Sequence, residues 1–176
     1  MKGWILSVAL LTGLVASQAQ ARGSSSGVLL TANAFIYNST DEVNGSKNEA
    51  KNSVYDLKLG YLTGSGLYLG GIYSIRNVDN GSSKDGKSLG GSIGYVGASG
   101  FFVMGHYIAS AEFGDLKEGT GFQGDLGYIT NVTGAFIVGV ELTYRSIEYK
   151  KDETDPSVSK HKKDELMPML TVGFVF

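Results

Sequence analysis

Residues 54–62 read Val-Tyr-Asp-Leu-Lys-Leu-Gly-Tyr-Leu. Tyr55, Leu57, Leu59 and Tyr61 share one side of a two-residue repeat, and Asp56, Lys58 and Gly60 share the other. A helix would gather its apolar residues every three or four positions, whereas alternate side chains of a strand point to opposite faces. The stretch therefore reads as a strand with one apolar and one polar face. The same period recurs on both sides of it, which predicts strands at 28–37, 54–62, 67–76, 88–96, 101–111, 121–129, 135–145 and 167–176. In 121–129, Phe122, Gly124, Leu126 and Tyr128 oppose Gln123, Asp125 and Gly127. In 135–145, Phe136, Val138, Val140, Leu142 and Tyr144 oppose Gly139, Glu141, Thr143 and Arg145.

The connectors between these runs alternate in length. Short ones are expected at 63–66, 97–100 and 130–133, and long polar ones at 38–53, 77–87, 112–120 and 146–166. Short turns on one side and long connectors on the other describe an all-β, eight-stranded, antiparallel up-and-down barrel. Runs of nine to eleven residues are also what a tilted strand needs to cross a bilayer.

Composition narrows the alternatives. The 176 residues include 26 Gly, 2 Pro and no Cys, and 18% are charged. The absence of Cys removes disulfide scaffolds and thiolate metal sites. A formal net charge of -2 gives no footprint for nucleic acid. Residues 1–21 (MKGWILSVALLTGLVASQAQA) have Lys2, an apolar stretch from Trp4 to Val15, and an Ala19-Gln20-Ala21 site. That pattern is expected to be a cleaved secretory signal, leaving 22–176 as the barrel domain.

Two orientations of such a barrel are open. A soluble, lipocalin-like barrel would wrap its apolar face around a cavity, whereas a membrane barrel turns that face toward lipid and fills its lumen with polar groups. Asp56, Lys58, Arg76, His106, Gln123, Asp125, Glu141 and Arg145 fall on the polar faces and form the expected lumen network. Asp56 and Lys58 are expected to neighbour Arg76, and Asp125 to neighbour Glu141 with Arg145 beyond. Gly60, Gly70, Gly90, Gly94, Gly127 and Gly139 fall on the same inner face and leave room for larger side chains. On the apolar faces, Tyr61, Tyr95, Phe101, Tyr128 and Phe136 lie beside the short turns. Tyr55, Tyr73, Tyr107, Phe122 and Tyr144 lie toward the long connectors. Two aromatic belts at interface heights are the girdle pattern of membrane barrels.

The chain ends in the same alternation, Pro168, Leu170, Val172, Phe174 and Phe176 against Met169, Thr171 and Gly173. The leader, the eight runs, the connector alternation and the closing Val-Gly-Phe-Val-Phe at 172–176 resemble the small bacterial outer-membrane β-barrel proteins. These are the class of OmpX and the OmpA transmembrane domain. The likeness spans 22–176 and is one of architecture, with no motif that selects a subfamily. It implies residence in a Gram-negative outer membrane among lipid and lipopolysaccharide. It also implies an insertion signal at Phe174 and Phe176 for the barrel-insertion machinery.

An even strand count is expected to leave both termini periplasmic, with 38–53 and 146–166 outside as the surfaces for an extracellular partner. In the second of these, Ser146, Ile147, Glu148 and Tyr149 continue the alternation. A protruding hairpin there would offer an edge to a partner strand.

The expected function is non-enzymatic, an envelope structural or surface-interaction role with a lumen filled by side chains. The alternatives are a narrow path for small solutes and a lipid-modifying enzyme. His106 and Ser110 share a predicted face but lie four residues apart, about 13 Å, too far for a base and its nucleophile. His161 sits among Lys160, Lys162 and Lys163, and Asp152, Glu153 and Asp155 lack calcium-loop spacing. No metal or cofactor is expected.

Overall fold

The computed structural model describes residues 26–43, 46–79, 83–154 and 160–176. The leader 1–21 and Asp155 lie outside the described residues. The strands are β1 (Gly27–Val43), β2 (Ser46–Leu62), β3 (Leu67–Asp79), β4 (Ser83–Val96), β5 (Phe101–Phe113), β6 (Leu116–Thr133), β7 (Phe136–Asp152) and β8 (His161–Val175). Each pairs antiparallel with its sequence neighbour, and β8 returns to β1, so the sheet is a closed eight-stranded barrel. Antiparallel neighbours need only tight turns, which is why consecutive runs of this period close up in sequence order.

The turns show the local chemistry. At 63–66, the Leu67 amide donates to Thr63 Oγ1 at 2.9 Å, and Gly66 takes φ +91°, a left-handed conformation that glycine adopts without strain. The connector expected at 130–133 is instead the end of β6. The chain turns at Gly134 (φ +51°), where Asn131 Nδ2 donates to the Gly134 carbonyl at 3.1 Å.

The long connectors expected at 38–53, 77–87, 112–120 and 146–166 are mostly strand. A backbone ladder needs no apolar face, so pairing continues into polar sequence, as in the Glu148↔Lys162 register of β7 and β8. Both expected partner surfaces are thus parts of paired hairpins.

Ser110 departs from its expected face. The β4–β5 register passes from Leu89↔Ser110 to Gly90↔Ile108, so Ala109 is an extra residue. This bulge shifts the alternation of the residues beyond it. Ser110 is exposed and Ala111 is buried.

The interior is layered. At the short-turn end it is apolar: Leu29, Leu62, Tyr68, Val96, Phe102, Met104, Ile129 and Ile137 pack together. The inner-face glycines make this possible, because the Tyr68 ring lies where a Cβ on Gly60 would go and the Phe102 ring where one on Gly127 would go. The middle holds the charged residues. Toward the long hairpins, Ile72, Ile108, Ala111, Ile147 and Tyr149 form a second apolar cluster, with Phe113 and Leu116 against it.

The outer surface carries the remaining large apolar side chains, among them Leu57, Leu59, Leu69, Ile93, Leu126, Leu142 and Leu170, all exposed. Eight of the ten belt aromatics are exposed. Tyr128 and Phe136 are half-buried against neighbouring rings, Tyr128 edge-on to Phe101 at 5.5 Å and Phe136 against Phe174 at 5.3 Å. Phe176 is exposed at the barrel rim.

Candidate functional site

All eight residues of the expected lumen network lie buried inside the barrel. Their period-two positions aim them inward, but the ion pairs made by the lysine and the arginines run across the lumen and not between sheet neighbours. Lys58 of β2 reaches Asp125 of β6, and bonds both Glu141 oxygens of β7 at 2.9 Å. Arg145 of β7 reaches Asp56 of β2 at 2.7 and 2.9 Å and donates to Ser74 Oγ at 3.1 Å. Arg76 pairs with neither Asp56 nor Lys58. Its partner is Glu165 of β8.

Asp125 and Glu141 lie together, as expected, both on Lys58 Nζ, but the grouping of Asp56 and Lys58 with Arg76 is corrected by a simple fact of scale. In a barrel this narrow, a long side chain reaches the opposite wall as readily as the adjacent strand.

Gln123 joins the pairs into one network. It accepts from Arg145 Nε at 2.7 Å, donates to Asp56 at 2.9 Å, and donates to Asp125 Oδ1 at 3.0 Å. Thr143 Oγ1 donates to Glu141 at 3.2 Å. Buried ions are tolerated only when paired and hydrogen-bonded in this manner, because each unpaired one costs several kcal/mol, roughly.

His106 extends the network to a hydroxyl. Its Nε2 lies 2.8 Å from Asp125 Oδ2, and its Nδ1 lies 2.6 Å from Ser92 Oγ. With Asp125 ionised, Nε2–H donates to the carboxylate and Nδ1 accepts from the Ser92 hydroxyl. Ser92, His106 and Asp125 thus stand in the order of a nucleophile, a base and an orienting acid. Ser92 carried no signal in the sequence. It falls on the inner face of a Gly- and Ser-rich strand, and only the Ser92↔His106 register brings the two together. Ser92 is 5% exposed and Asp125 2%, and the Asp125 carboxylate is shared with Lys58 and Gln123.

Toward the long hairpins lies a second group, which sequence reasoning missed because Glu165 and Lys163 fall in the expected connector 146–166. Arg76, Glu165 and Lys163 meet there, with Lys163 Nζ 3.7 Å from Glu165 and 4.0 Å from the centre of the Phe113 ring. Arg76 also approaches that ring, at 5.2 Å. Burial, with Arg76 beside it, pushes the Lys163 ammonium below the usual lysine range.

On the outer side of the same strand, the Ser146 hydroxyl, helped by Lys162 and Tyr144, holds the Asp164 carboxyl below its ordinary value. His161 is exposed beside Lys160 and Lys162, as expected for a solvated charge run. Among the described residues no group of three or more His, Asp or Glu side chains is placed to hold a metal ion.

No family model matches this chain, and neither a curated protein nor a solved structure matches it.

Proposed function

We propose that the chain is an integral β-barrel of a Gram-negative outer membrane, non-enzymatic, with a side-chain-filled lumen and a structural or surface-interaction role. One observation carries this reading: a belt of exposed Leu, Ile, Val, Tyr and Phe surrounds an interior of paired charges. Water-soluble monomers rarely expose contiguous apolar patches beyond a few hundred Å², roughly, whereas a lipid-facing wall requires one. The closed sheet leaves most backbone groups paired, as a bilayer demands.

The belts at Tyr61, Tyr95, Phe101, Tyr128 and Phe136, and at Tyr55, Tyr73, Tyr107, Phe122 and Tyr144, then sit at the two interfaces. The hairpins around 38–53 and 146–166 become the contact surfaces for lipopolysaccharide or an extracellular partner. Phe174 and Phe176 become the signal for barrel insertion.

A narrow axial channel is less well supported, because the apolar layer from Leu29 to Ile137 fills the short-turn end. The test is fractionation of cells expressing the full chain, then gel migration with and without boiling. Recovery in the outer membrane with a heat-dependent shift is expected. A soluble protein with no shift would overturn the reading.

A second reading rests on the Ser92–His106–Asp125 geometry, which fits a hydrolase or acyl transferase. It ranks second because the hydroxyl is buried and the carboxylate is shared. Labelling by a fluorophosphonate, lost in Ser92→Ala, would favour it over the first.

A further inference from the structure

The seam that closes the barrel is shorter than the other strand pairings. β1 and β8 pair from Leu29↔Val175 to Ala34↔Leu170. Beyond that, 35–43 and 161–169 form no pair with each other among the described residues.

The stop coincides with a missing backbone donor. Val28 and Phe176 exchange both backbone hydrogen bonds, at 2.6 and 3.1 Å. Alternate residues of an antiparallel strand face the same neighbour. Phe174, Val172 and Leu170 therefore face β1, and position 168 is next. It holds Pro168, which has no N–H to give to Ile36, the partner this register would assign.

Past Pro168 the strands leave a gap of about 820 Å³. Small-molecule sites run to roughly 300–1,000 Å³. Ile36, Tyr37, Leu166 and Met167 line the gap, and Arg76 and Glu165 reach it from the lumen. Ile36 and Leu166 are exposed members of the apolar belt.

At the inner end of the gap the one lining cation is Arg76, with Lys163 behind it on the far side of Glu165. Arg76 and Lys163 share the single carboxylate of Glu165, while Arg145 is taken by Asp56. Asp164, at the outer edge, is paired with Lys162 at 3.2 Å. The Arg76 Nε–H is buried without a hydrogen-bond partner among the described residues, on a side chain of a residue only 8% exposed.

We propose that this gap binds a single-chain anionic amphiphile of the fatty-acid type. The carboxylate accepts from the unpartnered Nε–H of Arg76 inside the barrel, and the chain leaves through the wall between Ile36 and Leu166. An added strand from a partner fits less well, because the Pro168 edge cannot supply a complete ladder. The inference rests on the membrane-barrel reading, since the chain would exit into the lipid that surrounds the belt.

The test uses the full chain refolded in phosphatidylcholine nanodiscs and titrated with dodecanoate, with dodecanol and acetate as controls. Binding is followed by the arginine Nε–H resonance of Arg76, assigned by its loss in Arg76→Lys, and by the Ile36 backbone amide. Dodecanoate should shift both saturably, and dodecanol should not shift the Arg76 signal. Arg76→Gln, read at the Ile36 amide, should weaken binding at least tenfold. So should Pro168→Val, which restores the missing donor and closes the seam. Equal response to dodecanol would overturn the headgroup assignment. Equal response to acetate would overturn the amphiphile and leave only a small-anion site. No shift at all, or pairing of the seam with a strand of another copy, would overturn the proposal. The heat-dependent gel shift of the same sample separates the two readings. A barrel that shifts on heating but ignores dodecanoate fails this proposal alone, and a sample with no shift fails both.

Discussion

The short-turn half of the barrel and its hairpin half use the same strands differently. In the first half the wall is complete, with β1 bonded to β8 as far as Ala34↔Leu170, and the lumen is packed with Tyr68, Phe102, Met104 and their neighbours. In the second half the seam has opened past Pro168, and the lumen holds Arg76, Lys163 and Glu165 beside a cavity. The charged network from Lys58 to Arg145 lies between them. The difference teaches that closure of such a wall depends on individual backbone donors, and that an inner face need not be polar along its whole length. The ladder ends beside a proline, although the hydrophobic pattern continues past it.

The sharpest way to break this contrast is to remove the central cation. Lys58→Met leaves Asp125 and Glu141 buried and facing each other, and breaking a buried pair in this way costs about 3–5 kcal/mol. Urea unfolding in phospholipid vesicles should show that loss. A cost below about 1 kcal/mol would mean that the network does not hold the two halves together.

A smaller effect probes the apolar layer. Ile137 is fully buried at the short-turn end, so Ile137→Val should cost about 0.5–1.5 kcal/mol. The same unfolding experiment measures it, and a neutral result would mean that this end is loosely filled.

The smallest effect lies at the hairpin end. Asp164 has its carboxyl held below the ordinary 3.8. A lowered folded value means that its contribution is complete above that pH and is lost as the pH falls through the lower, folded value. Asp164→Asn should therefore match the parent in acid and fall only slightly behind it at neutral pH. A difference that grows toward acid would contradict the sign.

Much of this was legible from residue period alone. Alternation placed Tyr55, Leu57, Leu59 and Tyr61 outside and Asp56 and Lys58 inside, and the structure keeps each on its expected face. Strand ends were less legible, because a ladder can run through polar sequence that carries no apolar signal, as it does in β8 before Leu166. Ser110 was misplaced because a bulge shifts the period by one residue and leaves no mark in composition. Pro168 was visible, but its consequence was not. Which neighbour it fails to serve depends on parity in the β8–β1 register, set by the Val28–Phe176 pair.

The sequence by itself determined the strand count, the up-and-down order and the two faces of the sheet, because side-chain alternation is a local property of extended backbone. Only the tertiary structure decided who meets whom in the lumen. Arg145 finds Asp56 from 89 residues away, Lys58 finds Glu141 from 83, and Ser92 finds His106 through a register set by pairing. Those contacts depend on the barrel's curvature and on the length of each side chain across a narrow bore. Neither quantity is written in the spacing of any single strand.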